Sequence, residues 1–191
     1  MSEISARYAR LASAMTTRVG GVPEGAWENQ SPCAEWTARD LVRHLVDTHT
    51  MFGGFVGLTM HAGPDVAEDP VAAWSAARDQ MQAWLDDPVT AEQEFQGMGG
   101  PSTLEAAADR FLGFDLVVHG WDLARATGQD DTIEPAELPR LWEDTRALGD
   151  QIRSEGTCGP ELPAPPGATE QDRLLAYLGR DPRFGEPSGT T

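Results

Sequence analysis

The chain has 191 residues, 40% of them hydrophobic and 24% charged, enough for one globular domain with a complete core. Fourteen Arg, no Lys and 31 acidic residues give a formal net charge of −17, which argues against phosphate backbones and acidic membrane surfaces as partners. No apolar run approaches the ~20 residues of a membrane helix. The N-terminus lacks a signal-peptide layout, and two thiols, Cys33 and Cys158, make no disulfide framework, so a cytoplasmic location is expected.

Apolar residues recur at helical spacing along most of the chain. Tyr8, Leu11, Ala12, Met15 and Val19 predict a first amphipathic helix, ended by Gly20-Gly21 and Pro23. Thr37 is the expected N-cap of a second, with Asp40 as capping-box partner and Trp36 and Leu41 at the staple positions. It runs through Leu41, Leu45, Thr48 and Phe52 towards Gly53-Gly54. Asp69-Pro70 opens a third helix, with Trp74, Ala77, Met81, Trp84 and Leu85 as its stripe and Asp86-Asp87-Pro88 as its stop.

Glu92 to Pro101 reads as a loop, with at most a short extended piece at Glu94-Phe95. Within it Gly97-Met98-Gly99-Gly100-Pro101 has the composition of an anion cradle but lacks its Lys, so a turn or lid is the expectation. Ser102 and Thr103 open the longest helix, with Glu105 as the partner of Ser102 and Gly128 as its end. Leu104, Ala108, Phe111, Asp115, His119 and Asp122 share one face of it. A helix from about Pro135 to Ile152, a Pro/Gly-rich connector and a short helix capped by Thr169 and Asp172 follow. The expected organisation is a bundle over 1–155, a connector and short helix of the same domain over 156–182, and a flexible tail over 183–191. The fold class is all-α, a bundle.

Polar residues on inward faces locate the chemistry. Asp115 and His119 are four apart, one turn of one helix, with Cβ atoms ~5–6 Å from each other. They replace apolar residues on the face that Leu104, Ala108 and Phe111 direct inwards, and a carboxylate there is costly unless paired or bound to a cation. His44 repeats the anomaly between Leu41 and Thr48. Together the three offer two imidazoles and a carboxylate, leaving a position open for substrate or water. The plainer reading is a satisfied core histidine and an ordinary Asp–His pair. Asp122 is read as a support for His119 or, preferentially, as the i+3 partner of Arg125. His49, about 140° round the helix from His44, reads as core or solvent, and near the site's mouth it is the candidate catalytic residue for proton transfer. His61 reads as surface, and Cys33 as packing.

The segments PCAEWTARDLVRHLV, DLVVHGWDLARATG and QDRLLAYLGRDP resemble the actinobacterial branch of the DinB-like metalloproteins. More closely, they resemble proteins grouped with mycothiol-dependent maleylpyruvate isomerase. The resemblance implies an up-and-down-type four-helix bundle with short additional C-terminal helices. It also implies a divalent metal, zinc or nickel, held by His44, Asp115 and His119. Mycothiol is the implied cosubstrate, a small electrophile the implied substrate, and a homodimer the implied assembly. Isomerase-type sites carry Glu where this chain has Asp115, and the isomerase has a C-terminal domain where this sequence has a connector and short helix. Maleylpyruvate isomerisation itself is therefore not expected. The expected function is a metal-dependent thiol transferase or isomerase. The alternatives are a hydrolase using water at the cation, and a non-enzymatic dimeric binding or stress protein with a degenerate site.

Overall fold

The computed structural model describes residues 2–61, 63–97, 100–153 and 158–186 and is predominantly helical, as expected. Helix α1 (Glu3–Gly20) is capped by Ser2. Helix α2 (Ala38–Phe55) opens on the expected capping box: the Thr37 hydroxyl accepts the Asp40 N–H, and the Asp40 carboxylate accepts the Thr37 N–H. Helix α3 (Pro70–Asp86) begins after Asp69, whose side chain accepts the Ala72 N–H, and a single turn, α4 (Pro88–Ala91), follows. Helix α2 does not stop at Gly53-Gly54 but passes through them. A Cβ at Gly53 would lie 2.5 Å from the Trp84 ring, so this glycine lets α2 and α3 close on each other.

The stretch expected to be a loop is largely a hairpin. Strand β1 (Glu94–Gly97) pairs antiparallel with β2 (Gly100–Thr103), Glu94 opposite Thr103. Met98 and Gly99, at the centre of the expected anion cradle, lie outside the described residues. Because β2 takes Ser102, the helix cap moves on by one residue. Thr103 accepts the Ala106 N–H, and Glu105 instead accepts from the Ser2 hydroxyl.

The long helix is interrupted. Helix α5 (Leu104–Ala107) passes through a π-helical turn at Ala108–Leu112 into α6 (Gly113–Thr127). Such a turn inserts one residue and shifts the face that follows. Leu112 takes the buried place and Phe111, expected to face inwards, is 38% exposed. The agent is Arg7 of α1. Its Nη1 donates to the Asp109 carbonyl at 2.6 Å and lies 2.5 Å from where a Cβ on residue 113 would fall, so any larger residue than Gly113 has to displace the guanidinium.

Helices α3 and α6 each pack against both α1 and α2, giving a four-helix bundle in the spatial order α1, α3, α2, α6. Met15, Leu41, Leu45, Trp74, Met81, Leu112, Leu116 and Trp121 fill its centre. Helix α7 (Leu138–Leu148) is shorter than the expected 135–152 span and continues as a 3-10 turn at Gly149–Arg153. Helix α8 (Glu170–Tyr177) starts on the Thr169–Asp172 capping box and sends Leu174, Leu175 and Leu178 into the same core. The connector boundary expected at 155–156 lies outside the described residues, as do 187–191 of the tail. Residues up to Glu186 form turns, with Arg125 donating to the Pro182 carbonyl and pairing with Glu186 at 3.2 Å.

Candidate metal centre

His44 lies two turns into α2, and Asp115 and His119 lie on consecutive turns of α6, the helix that α2 packs against. The packing brings the three together: one ligand atom from each lies within 4.8 Å of the others. His44 Nε2 is 3.4 Å from Asp115 Oδ2, and His119 Nε2 is 4.0 Å from Asp115 Oδ1. The side chains are 30%, 20% and 9% exposed in the order His44, Asp115, His119, so the cluster opens to solvent on the His44 side. Trp36 packs against both imidazoles, its ring 4.9 Å from that of His44 and 5.8 Å from that of His119. Residue 35, just before it, has φ +66°, a left-handed conformation costly for Glu, and the loop is pinned by the Ser31 N–H to Trp36 carbonyl bond.

A buried charged network supports His119 from behind. Its Nδ1 donates to Asp122 Oδ2 at 2.9 Å, which leaves the Nε2 lone pair facing Asp115. Asp122 is fully buried and also bonds the Arg180 guanidinium at 3.2 Å and the Cys33 thiol at 3.2 Å. Burial opposes its charge, but Arg180 and His119 outweigh that and hold the carboxyl below the usual range. Asp122 therefore does not pair with Arg125, which turns to Asp131 and Glu186. The second guanidinium nitrogen of Arg180 reaches Cys158 at 3.4 Å. Burial, then the Asp122 charge, pushes the Cys33 thiol up to about 12, so it stays protonated at neutral pH.

His49 does not reach the mouth. It is completely buried, with Nδ1 2.6 Å from the Leu45 carbonyl and Nε2 2.9 Å from the Tyr8 hydroxyl, and it stands edge-on to Trp74. These bonds fix a neutral ring with the proton on Nδ1, and no face of it is free to exchange a proton with a ligand. Burial pulls its pKa from 6.5 down to about 4. Between those values the unfolded chain takes up a proton that the native state refuses, so stability falls as pH drops through this window. The expected loss is ~3 kcal/mol, and it should be absent from the pH–stability curve of a His49→Gln variant followed by urea unfolding from pH 7 to 4. His61 is exposed in a loop, as expected.

The family model of the mycothiol maleylpyruvate isomerase N-terminal domain matches residues 8–124, well over half of the chain. The chain belongs to this family. Two uncharacterized proteins of Mycobacterium tuberculosis, from strains CDC 1551 / Oshkosh and ATCC 25618 / H37Rv, are each 31% identical over 186 residues, covering 92% of this chain and 92% of theirs. No solved structure gives a significant match. The family match spans His44, Asp115, His119 and Asp122, whereas Cys158 and Arg180 lie beyond it. In this family member the C-terminal segment thus completes the support of a residue inside the matched domain.

The cluster fits a divalent cation on its own chemistry. Two imidazole nitrogens and a carboxylate oxygen are a donor set for zinc or nickel, drawn from facing helices. A buried carboxylate on the far nitrogen of His119 is the usual outer support of a metal-ligating histidine. Cys33, His119 and Asp122 also lie within 4.8 Å of one another, but the Arg180 guanidinium already balances Asp122 there and disfavours a second cation.

Proposed function

We propose that this protein is a divalent-metal-dependent thiol transferase or isomerase. It would hold the cation on His44, Asp115 and His119 and use a low-molecular-weight thiol of the mycothiol type against a small electrophile. The reading is carried by the half-open convergence of these three side chains, with His119 anchored by Asp122. A bound cation supplies a Lewis acid that lowers the pKa of a thiol to near or below neutrality. The chain's own residues do the rest. His44 and Asp115 present their donors at the open side, Asp122 keeps the His119 proton on Nδ1, and Trp36 keeps water off the inner wall of the two imidazoles. The nucleophile has to come from outside: Cys33 is protonated and bonded to Asp122, and burial likewise raises Cys158. The family's mycothiol name supports that thiol over water. A reducing, cytoplasmic setting and a homodimer belong to the same reading, and both cysteines are free.

Metal analysis of the purified protein is the first test, and less than about a tenth of an equivalent of zinc, nickel or cobalt after loading would sink the reading. His44→Ala is expected to lose the metal while keeping its far-UV spectrum; losing the ring contacts with Trp36 and His119 lowers its unfolding midpoint without unfolding it. Titrating mycothiol into the cobalt-loaded protein is expected to raise a sulfur-to-metal charge-transfer band. A flat spectrum would remove the thiol and leave a hydrolase.

A further inference from the structure

A line of side chains leaves the cluster along α2. His44, Thr48, Met51 and Phe55 are spaced by four, three and four residues, so they stay within about 60° of one another round the helix. Met51 and Phe55 are 48% and 46% exposed. Across the groove the π-helical turn swings Phe111 outward, one turn before Asp115. Phe52 joins the two sides, 5.4 Å from the Phe55 ring and 6.1 Å from the Phe111 ring, and Phe95 of the hairpin stacks on Phe55 at 5.1 Å. Among the described residues five large apolar side chains are exposed, and three of them are Met51, Phe55 and Phe111. An apolar shelf therefore begins where the polar cluster ends.

Its size identifies its occupant. The three half-exposed side chains offer roughly 250 Å², well short of the ~800 Å² per partner that a stable protein interface buries. That area matches one aryl or branched alkyl group. Along α2, His44 and Met51 are separated by about 10 Å of helix rise, the span of a small molecule with a polar reactive end and a short apolar body. The four shelf side chains are themselves uncharged, and the Arg110 guanidinium lies over the Phe111 ring at 5.5 Å, at the edge of the shelf.

We propose that the shelf of Met51, Phe55, Phe95 and Phe111 is the substrate-binding subsite, selecting electrophiles that carry an aromatic or branched apolar body next to the reactive group. This rests on the metal-dependent reading above, and two metal-directed probes separate the two claims. Acetohydroxamic acid has the chelating head alone; 3-phenylpropanohydroxamic acid adds the aryl body. Against the cobalt-loaded full chain, calorimetry is expected to show the aryl probe binding on the order of 30-fold more tightly. Phe111→Ser and, separately, Met51→Gln are expected to remove most of that gain, leaving acetohydroxamate affinity and cobalt content unchanged. Both residues are at least a third exposed, and an unchanged far-UV spectrum shows that each variant folds. Equal affinity of the two probes for the wild-type protein overturns the subsite alone. Failure of acetohydroxamate to bind overturns the metal-dependent reading and the subsite with it. A dimer that Phe111→Ser converts to monomer in sedimentation assigns the shelf to self-association and also overturns the proposal.

Discussion

Arg7→Ala is expected to destabilise the protein by about 3–5 kcal/mol in urea unfolding, because it strips the partner from a buried carboxylate. Arg7 and Glu137 are 6% and 3% exposed, joined by a 2.6 Å contact from Nη2 and a 3.1 Å bond from Nε. Without Arg7, the Glu137 carboxylate keeps, among the described residues, only the mostly exposed Arg10, 3.8 Å away. The substitution also deprives the Asp109 carbonyl of its donor inside the π-helical turn. Removing both charges separates the two costs. An Arg7→Met/Glu137→Leu double variant is expected to recover most of the ion-pair loss, since replacing a whole buried pair with apolar groups is often neutral. What it fails to recover is the cost of the unbonded turn carbonyl together with that of the Asp109 carboxylate, which loses its 2.9 Å bond from Arg7. A loss below about 1 kcal/mol in the single variant would mean that solvent reaches the pair.

This network shows where local sequence reading stops. The caps at Thr37, Asp69 and Thr169 are legible because each is closed by hydrogen bonds within three residues. The π-helical turn is not, because what stabilises it is an arginine about a hundred residues earlier, on another helix. Helical periodicity carried unbroken through 104–122 therefore put Phe111 on the inner face, one position out of step with the structure. The same limit governs charge pairing. Asp122 and Arg125 have good i, i+3 spacing, yet Asp122 bonds Arg180, 58 residues on. That partner leaves no local signature beyond being an arginine just after a short amphipathic helix.

The candidate site divides in the same way. Periodicity shows that His44, Asp115 and His119 share inward faces, and once α2 packs on α6 their meeting follows. It cannot tell a core position from a mouth position for His49, because the Tyr8 hydroxyl that occupies its Nε2 comes from α1. Trp36 was legible as a staple residue, but its contact with two imidazoles depends on the left-handed residue before it. The aromatic neighbourhood of Phe55 needed the hairpin, which the glycine-rich composition of 97–100 disguised as a plain loop.

Asp122→Asn is expected to weaken zinc or cobalt binding by roughly 10–100-fold while leaving all three proposed ligands in place. The carboxylate accepts from His119 Nδ1 and so assigns the ring its tautomer. An amide can turn its NH₂ towards Nδ1 instead, which moves the proton to Nε2, the nitrogen that faces Asp115. Arg180, 5% exposed, then loses its anionic partner as well. A drop of about 3–5 kcal/mol in unfolding free energy is expected alongside the affinity loss. The two effects are separable. Arg180→Met keeps the Asp122–His119 bond and breaks the ion pair, so it should lower stability much as Asp122→Asn does. Nitrogen-15 chemical shifts of His119 read the tautomer directly: the proton should remain on Nδ1 in Arg180→Met and move at least in part to Nε2 in Asp122→Asn. Native metal affinity in Asp122→Asn despite the shifted proton would mean that the cation does not use His119 Nε2.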